Sequence, residues 1–522
     1  MNLLLFLIFL IASSSFFCFF SEHSTTLMKI KLIILTLLAY SFSFSQTQGV
    51  AFPTVGKGVA TPFVTDYHTL GINTSALGWR PRYAGKKFTT GTSEFAFGIS
   101  SDSLNSKKLQ NLTKTLYNAA QHKNPNEIDY KRQMQAVGDY AEAGVAINFD
   151  YNWLGFSYYG EKFGGIAFNI RESYSWYSKM NSKTTDLLFR GKLSSVFDSL
   201  TVVYGSDTSR IANGANISQD SLGHVISGSL NVPIRISELT KGTQIQMVWN
   251  RSYNIGYGRK LFGRDSVFEL YGGVGARLIT SMAMFNMTSD DDGLRMYTAI
   301  TPTFDIDYGN VSGSNAMQKK SKGIAPVMGT GYGIDLSASL ILFNKLRIAA
   351  AVNNIGSVTY KRNVYKVKDT LFASFALGGL NGDNITQTVN QLVRDNGLMT
   401  LEGEQKYRVI NASDFRFGVS YEPIKYLRLG FDVVAPFNKE NPGSIQNPVY
   451  SFGGDIIPVK WLQLSIGYFG GGIYKHNMPL GLTFILKDGA YEFGVASRDA
   501  LSFFLKNGTS VSAALGFARV RF

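Results

Sequence analysis

From Phe415 to Phe469 the sequence alternates large apolar residues with small, polar or charged ones. Phe415, Phe417, Val419 and Tyr421 interleave with Arg416, Gly418 and Ser420. After the turn Glu422-Pro423-Ile424-Lys425, the residues Leu427, Leu429, Phe431 and Val433 interleave with Arg428, Gly430 and Asp432. The pattern returns in Tyr450–Ile456, with Asp455 at a polar place, and again in Leu462–Tyr468. A period of two sends neighbouring side chains to opposite faces of a β-strand. Each strand therefore has one apolar face and one small, polar face.

Two architectures satisfy that pattern. In a soluble sandwich the apolar faces pack on each other. In a transmembrane barrel they meet lipid, and the polar faces line the lumen. The barrel is favoured by the aromatic residues at strand ends, Tyr421, Tyr426, Trp461 and Tyr468, where girdles meet lipid headgroups. Very short turns at one end and long connections at the other, such as Pro436 to Pro448, point the same way. The expected fold is all-β: a transmembrane antiparallel barrel of about 14 strands, with 12 to 16 the range. Its last strand ends at Phe522, with Val520 and Ala518 on the same face and Arg519 and Arg521 on the other. That strand is expected to close the barrel against the stretch Phe95–Ile99. Phe522 and Val520 are expected to carry the signal read by the barrel assembly machinery.

Residues 1–45 read as lying outside the fold. Met28 is a second start, followed by charged Lys29 and Lys31, an apolar core Leu32–Ala39, and Ser43-Phe44-Ser45 before Gln46. That is the layout of a cleaved secretory signal peptide, so the residues before Met28 read as a mis-called extension. The rival reading is an N-terminal anchor helix. Export through this signal, taken with the barrel pattern, points to the outer membrane of a Gram-negative cell. The one cysteine, Cys18, falls in this part, leaving no thiol or disulfide chemistry in the mature chain. Beyond residue 45 no apolar run approaches the ~20 residues of a membrane helix.

Residues 46–87 are expected to form a plug-like segment at one mouth of the barrel, and 88–522 the barrel itself. Asn73 is placed to cap a short helix through Ala76-Leu77, with Gly78 ending it. The stretch Asp66-Tyr67-His68-Thr69-Leu70-Gly71-Ile72-Asn73-Thr74-Ser75-Ala76-Leu77-Gly78 resembles the start of an uncharacterised outer-membrane barrel family of Bacteroidota. That family is itself similar to the long-chain fatty-acid transporter barrels and the type IX secretion shuttle barrel. Asp66, Gly71, Ile72, Asn73, Leu77 and Gly78 carry the match; Thr74-Ser75-Ala76 stand where the family has Pro-Ala-Asn. Val352–Tyr360 and the stretch Trp153–Phe168 resemble the family's strands more loosely. The resemblance implies a barrel, and leaves the biochemistry open.

Three insertions show helical spacing: Leu109, Leu112, Leu116 and Ala119; Leu193, Val196 and Leu200; Ile385, Val389 and Leu392. They read as loop helices at the rim. Pro423–Leu429 recurs as Pro458–Leu464 and, more loosely, as Phe343–Ile348, marking the short turns of the periplasmic end. Between Lys260 and Asn310 the alternation of sides fails, as though two strands had been merged.

No catalytic constellation is visible. His68, His122, His224 and His476 are scattered, and no His-Glu-x-x-His, nucleophile elbow or phosphate loop occurs. Gly256-x-Gly258 and Gly272-Gly273-x-Gly275 have no helix after them and read as close-packed strand glycines. Asp290-Asp291-Asp292-Gly293 lacks calcium-ligand spacing and reads as a turn. The expectation is a non-enzyme without metal or cofactor.

Net charge is +14, or +13 once Lys29, Lys31 and Glu22 are removed. Its bearers, among them Arg259-Lys260, Lys319-Lys320, Lys322 and Lys361-Arg362, are dispersed, which argues against nucleic acid. It favours outer-membrane lipid and the phosphates of lipopolysaccharide at the outer rim. Arg416, Arg428, Asp432 and Asp455 are expected to face the lumen, paired across it or forming a selective lining. Three functions remain: a barrel that binds or passes a hydrophobic or amphipathic small molecule; a non-transporting partner or scaffold in an envelope or type IX secretion assembly; and an outer-membrane lipid hydrolase. The first is preferred. The third lacks a nucleophile–histidine pair.

Overall fold

A computed structural model of the chain describes residues 51–522 except 106, 110, 112–129, 215–216, 305, 307–324, 380–399, 501–507 and 509. The expected signal peptide lies outside the described residues. So do the helix expected around Ile385, Val389 and Leu392 and most of the one running on from Leu109, which is itself buried.

Fourteen antiparallel strands form a closed barrel. In chain order β1 is Phe88–Ser101, β2 Val145–Gly160, β3 Gly164–Lys179, β4 Gln244–Arg264 and β5 Phe268–Asp290. They are followed by β6 Gly329–Leu342, β7 Leu346–Tyr360, β8 Asp414–Ile424, β9 Leu427–Pro436 and β10 Val449–Val459. The last four are β11 Leu462–Gly471, β12 Leu480–Leu486, β13 Tyr491–Ser497 and β14 Ser510–Arg521. Each pairs with its chain neighbour, and β14 returns to β1 with Thr89 opposite Arg521, Phe95 opposite Leu515 and Ser100 opposite Ser510. Closure leaves no strand edge, which in lipid would strand unpaired backbone groups at several kcal/mol each.

The alternation now has a direction. Phe417, Phe431, Tyr450, Phe452 and Ile466 are exposed on the outside, whereas Arg416, Asp432, Asp455 and Ser465 are buried within. No helix among the described residues is long and apolar enough to cross a membrane; the strands present the apolar band. Tyr421, Tyr426 and Trp461 stand exposed near one end of the barrel and Tyr468 near the other, an arrangement of two girdles.

At the turn end the strands reverse tightly. Phe343-Asn344 and Lys487-Asp488 both adopt the left-handed conformation, with φ of 53° and 56° and of 49° and 49°. Paired positive φ values match the twist of a two-residue hairpin, and Asn and Asp tolerate them. Pro423 and Pro458 do not terminate their strands. Each sits inside the last residues, where the register shifts between Tyr421 and Ile424 and between Ile456 and Val459. A bulge tolerates the missing donor.

The loop end carries the rest. β4 and β5, at 21 and 23 residues, far exceed the ~9–11 needed to span a bilayer. Their excess projects past the loop end, where Gly293–Ile300 folds back along β5 and also meets Val364–Val367. This resolves the irregular alternation. Phe262–Asp265 lies at the turn end, Ser289–Gly293 at the loop end, and the strand between Gly293 and Ile300 does not cross. A separate four-stranded sheet is built from Leu371–Phe375, Val225–Arg235, Ser199–Tyr204 and Asp207–Ala212. The helix expected over Leu193, Val196 and Leu200 is not there. The helix runs Ser182–Arg190, a 3-10 turn ends at Leu193, and Leu200 is buried on a strand of this sheet. Tertiary pairing of a β-branched run, Thr201-Val202-Val203, outweighs the three-residue spacing.

Removing Val520–Phe522 takes away the pairs that β1 makes at Thr89 and Thr90 together with the Arg521 guanidinium. The shortened chain is expected to lose heat-modifiable migration on gels and to be cleared before reaching the membrane. Normal amounts of heat-modifiable protein would show that closure does not depend on these residues.

Candidate functional site: the plugged lumen

The N-terminal segment lies inside the barrel, deeper than the mouth position expected from sequence. From Ala51 to Trp79 it is almost wholly buried, and only residues from Arg80 to Lys87 emerge at the turn end. It folds as the one-turn helix Phe52–Val55 and two 3-10 turns, Asp66–Thr69 and Thr74–Gly78. Asn73 does not cap the second. Its amide donates to the Thr61 carbonyl at 2.9 Å, and its carbonyl oxygen accepts from the Ser75 hydroxyl at 2.6 Å, so it ties the plug to itself.

The plug fits because the wall facing it lacks side chains. A Cβ on Gly273 would stand 2.1 Å from the Ser75 nitrogen, and one on Gly258 would stand 2.4 Å from the Thr74 oxygen. Gly453 and Gly467 would place theirs 2.0 and 2.1 Å from the Lys57 carbonyl oxygen. Gly155 receives the Tyr67 ring and Gly516 the Phe52 ring. Gly78 serves the same purpose from the plug side: its Cβ would reach within 2.7 Å of the Arg259 Cα. Close approach, not helix termination, accounts for that glycine.

Charges fasten what the glycines admit. The Lys57 ammonium donates to Asp455 at 2.6 Å, with both side chains sealed from solvent. Asp455 also pairs with Arg428 at 3.0 Å and accepts from Ser465 at 2.6 Å. The Asp432 carboxylate accepts the backbone amides of Ala60 and Thr61, each at 2.9 Å. Asp66, held at φ 57°, accepts from Arg519 at 2.6 Å and Arg521 at 3.2 Å, while Glu492 holds the far side of both guanidiniums. Glu94, fully buried on β1, accepts from the Tyr67 hydroxyl at 2.7 Å and the Asn152 amide at 2.9 Å, and lies 3.0 Å from the His68 ring nitrogen. Arg416, Arg428, Asp432 and Asp455 thus face inward. The last three hold the plug or one another rather than pairing across an empty lumen, and Arg416 donates to Asp414 at 2.9 Å.

On the loop side of the plug lies a cavity of about 190 Å³. Its floor is polar: the backbone of Gly71-Ile72, Asn254, Asn353 and three guanidiniums, each beside one carboxylate. Arg171 pairs with Asp150, Arg277 with Asp335 and Arg416 with Asp414. Nearer the loop end, Tyr174, Val248, Ile279, Val358, Tyr360 and Val409 supply apolar surface, mixed with Asn148 and Ser175. The Arg277 guanidinium sits 3.1 Å from where a Cβ of Gly71 would be, which fixes glycine there, at φ 77°.

The wall beside this cavity is interrupted. Leu346–Asn353 of β7 pair with β8, and Ser357–Tyr360 pair with the short strand Tyr407–Ile410, but Asn354–Gly356 and Asn411–Ser413 form no regular ladder between them. Asn354 has φ 62°. One backbone bond, from the Asn411 amide to the Gly356 carbonyl at 3.1 Å, crosses the seam, and side chains close the rest. The Ser413 hydroxyl donates to the Asn354 carbonyl at 2.8 Å, the Asn354 amide to the Ala412 carbonyl at 3.2 Å, and the Asn411 amide to the Tyr332 carbonyl at 2.8 Å. Such local bonds replace a ladder where a bulge breaks it.

A family model described as "Family of unknown function (DUF5723)" matches residues 208–488, more than half of the chain. The chain belongs to DUF5723. No curated protein matches it. Among solved structures, this DUF5723 barrel is similar to the Pseudomonas putida toluene transporter TodX, at 10% identity, covering 92% of this chain and 98% of that one with a TM-score of 0.38. It is similar also to the Ralstonia pickettii toluene transporter TbuX, at 12% identity over 91% and 98% with the same TM-score. A mutant of the Rh. blastica porin shares 7% identity over 83% and 100%, with a TM-score of 0.21.

Sequence reasoning missed Lys57, Glu94 and the pairs Asp150–Arg171 and Arg277–Asp335. Glu94 follows Ser93, whose φ of 57° breaks the alternation that would have pointed to it. Asp335 and Arg277 do occupy inward places of their strands, so their alternation was available. The Arg259-Lys260 pair, expected at the outer rim, lies instead at the turn end beside the emerging plug. Lys319, Lys320 and Lys322 lie outside the described residues.

Replacing Asp455 with Asn leaves Lys57 buried without its carboxylate, a loss on the order of 3–5 kcal/mol. In this DUF5723 barrel the plug is expected to loosen while the wall stays closed. Asp455→Asn proteoliposomes should swell faster in small sugars than wild type, with heat-modifiable migration retained; unchanged swelling would mean the plug is held without this pair.

Proposed function

We propose that this barrel binds and passes a hydrophobic or amphipathic small molecule at the outer membrane. The observation that carries the reading is the cavity above the plug. Its polar floor and partly apolar upper wall match a molecule with a hydrogen-bonding head and an apolar body, and it adjoins an interrupted seam in the wall. At about 190 Å³ it is far larger than a packing defect. Several of its polar atoms have no partner among the described residues, namely Oδ1 of Asn148, Asn250 and Asn353 and Nε of Arg277. Buried polar groups are ordinarily satisfied, so these atoms favour an occupant able to hydrogen-bond.

The seam supports passage as well as binding. Each side-chain bond that closes it is worth about 0.5–1.5 kcal/mol net, so a small rearrangement would connect the cavity to the apolar exterior. A barrel acting only as a scaffold for an envelope assembly has no use for such a cavity, and no observation favours that reading over passage. Lipopolysaccharide contacts at the outer rim remain part of the proposal through Lys361 and Arg362 at the loop end.

Mass spectrometry of the barrel purified from native membranes is expected to show one amphipathic species in stoichiometric amount. The change Ser173→Trp, which places an indole in the cavity, should reduce that species several-fold without altering heat-modifiable migration. Equal retention by the variant, or only bulk membrane lipid in both, would refute the reading.

A further inference from the structure

We propose that the turn end of the barrel holds a second binding site, for a multivalent phosphate-bearing anion. Where the plug emerges, a cavity of about 510 Å³ opens between its last residues and the wall. Five cations line it with their side chains, Arg80, Lys86, Lys87, Lys162 and Lys260, against the single carboxylate of Glu161, while Arg259 borders it through its backbone. Two of the five are occupied. Arg80 and Lys260 share Asp265 and Glu269 just outside, with Arg80 at 2.6 Å from Asp265 and Lys260 at 2.9 Å from Glu269. Lys86, Lys87 and Lys162 have no acidic partner among the described residues.

This departs from the design of the lumen a few residues away. There Lys57, Arg519 and Arg521 each meet a carboxylate within about 3 Å. Clustered like charges repel, and holding three unpaired lysines around one concavity costs stability that a bound anion would recover. The positive character also continues inward. A smaller cavity of about 100 Å³ shares Arg80, Tyr83, Lys86 and Lys87 with the first and reaches Arg82 and Arg428.

The cavity belongs to the bore and not to the lipid face. Gly78, Gly164 and the buried Tyr271 line it, whereas Leu261, Phe262 and Phe268 of the same strands are exposed on the outside. The lysines act as movable point charges and Arg80 supplies a planar donor at the edge, a combination suited to phosphate oxygens on more than one centre. The phosphate could be carried by a soluble molecule or by a lipid headgroup reaching in from the rim. The site stands at the opposite end of the plug from the amphipath cavity and does not depend on it.

The test uses the full-length barrel in nanodiscs of zwitterionic lipid, titrated calorimetrically with inorganic pyrophosphate. Saturable binding is expected, weakening steeply as salt rises from about 0.05 to 0.5 M. The triple change Lys86→Gln, Lys87→Gln and Lys162→Gln should weaken it by at least about tenfold, whereas the loop-end change Lys439→Gln leaves it intact. Heat-modifiable migration confirms that each variant is folded. In nanodiscs containing phosphatidylglycerol, loss of pyrophosphate binding assigns the phosphate to a lipid headgroup, and undiminished binding assigns it to a soluble anion. No binding in zwitterionic discs, or equal binding by the triple variant, would overturn the site.

Discussion

The structure depends on backbone meeting backbone across the lumen. A segment of polypeptide can run through the bore only where the wall facing it has no side chains, and inward glycines clear that path. Gly273 under Ser75, Gly258 under Thr74, and Gly453 with Gly467 under Lys57 lie on strands from different parts of the chain. The plug path is therefore written into strand after strand. Outward positions beside these glycines, such as Val274, Phe452 and Ile466, are large and apolar, so the same alternation that builds the membrane face also builds the seat.

Burying charge inside such a seat is tolerable only if each charge is answered. An unpaired ion away from water costs several kcal/mol, and removing one partner of a pair exposes that cost in full. The plug carries Lys57 and Asp66, and the wall supplies Asp455, Arg519, Arg521 and Glu492 in positions that satisfy them. Asp432 uses its carboxylate to bind plug amides directly, replacing bonds the irregular backbone lacks. Specific pairing of this kind fixes the register of the plug along the bore, which glycine clearance alone would leave free to slide.

The membrane architecture was legible from sequence because the period of two is repeated in nearly every strand. Fourteen strands and closure of the last on the first followed from that alternation and from the intolerance of lipid for free edges. What escaped was decided between segments distant in sequence. Nothing local marks Lys57 as the partner of Asp455, almost 400 positions later. Asn73 looked like a cap because its spacing suits one, but a nearer acceptor at Thr61 and a donor at Ser75 claimed its side chain. The strand Gly293–Ile300 obeys strand chemistry yet pairs beyond the membrane, so counting segments without knowing their depth left the sides of the turns between Lys260 and Asn310 undecided. Leu193, Val196 and Leu200 were misread because a sheet formed with residues up to Phe375 supplied pairing that outweighs a weak helical spacing.

Under the proposed passage, two ways through this barrel differ in what must be broken. Moving the plug separates the Lys57–Asp455 pair and the Asp66 cluster and lifts Phe52 and Tyr67 from their glycine seats, each a buried interaction worth several kcal/mol. Opening the seam between Asn354 and Ser413 breaks a few neutral side-chain bonds and the backbone bond from the Asn411 amide to the Gly356 carbonyl, each worth about 0.5–1.5 kcal/mol net. The backbone there is already out of regular pairing, so little ladder is lost. For the proposed passage, the lower barrier therefore lies sideways, through the wall beside the cavity, with the plug as its floor. A floor so firmly held fits the amphipath proposed above, its head anchored on polar groups and its apolar remainder directed toward the seam and the lipid beyond it.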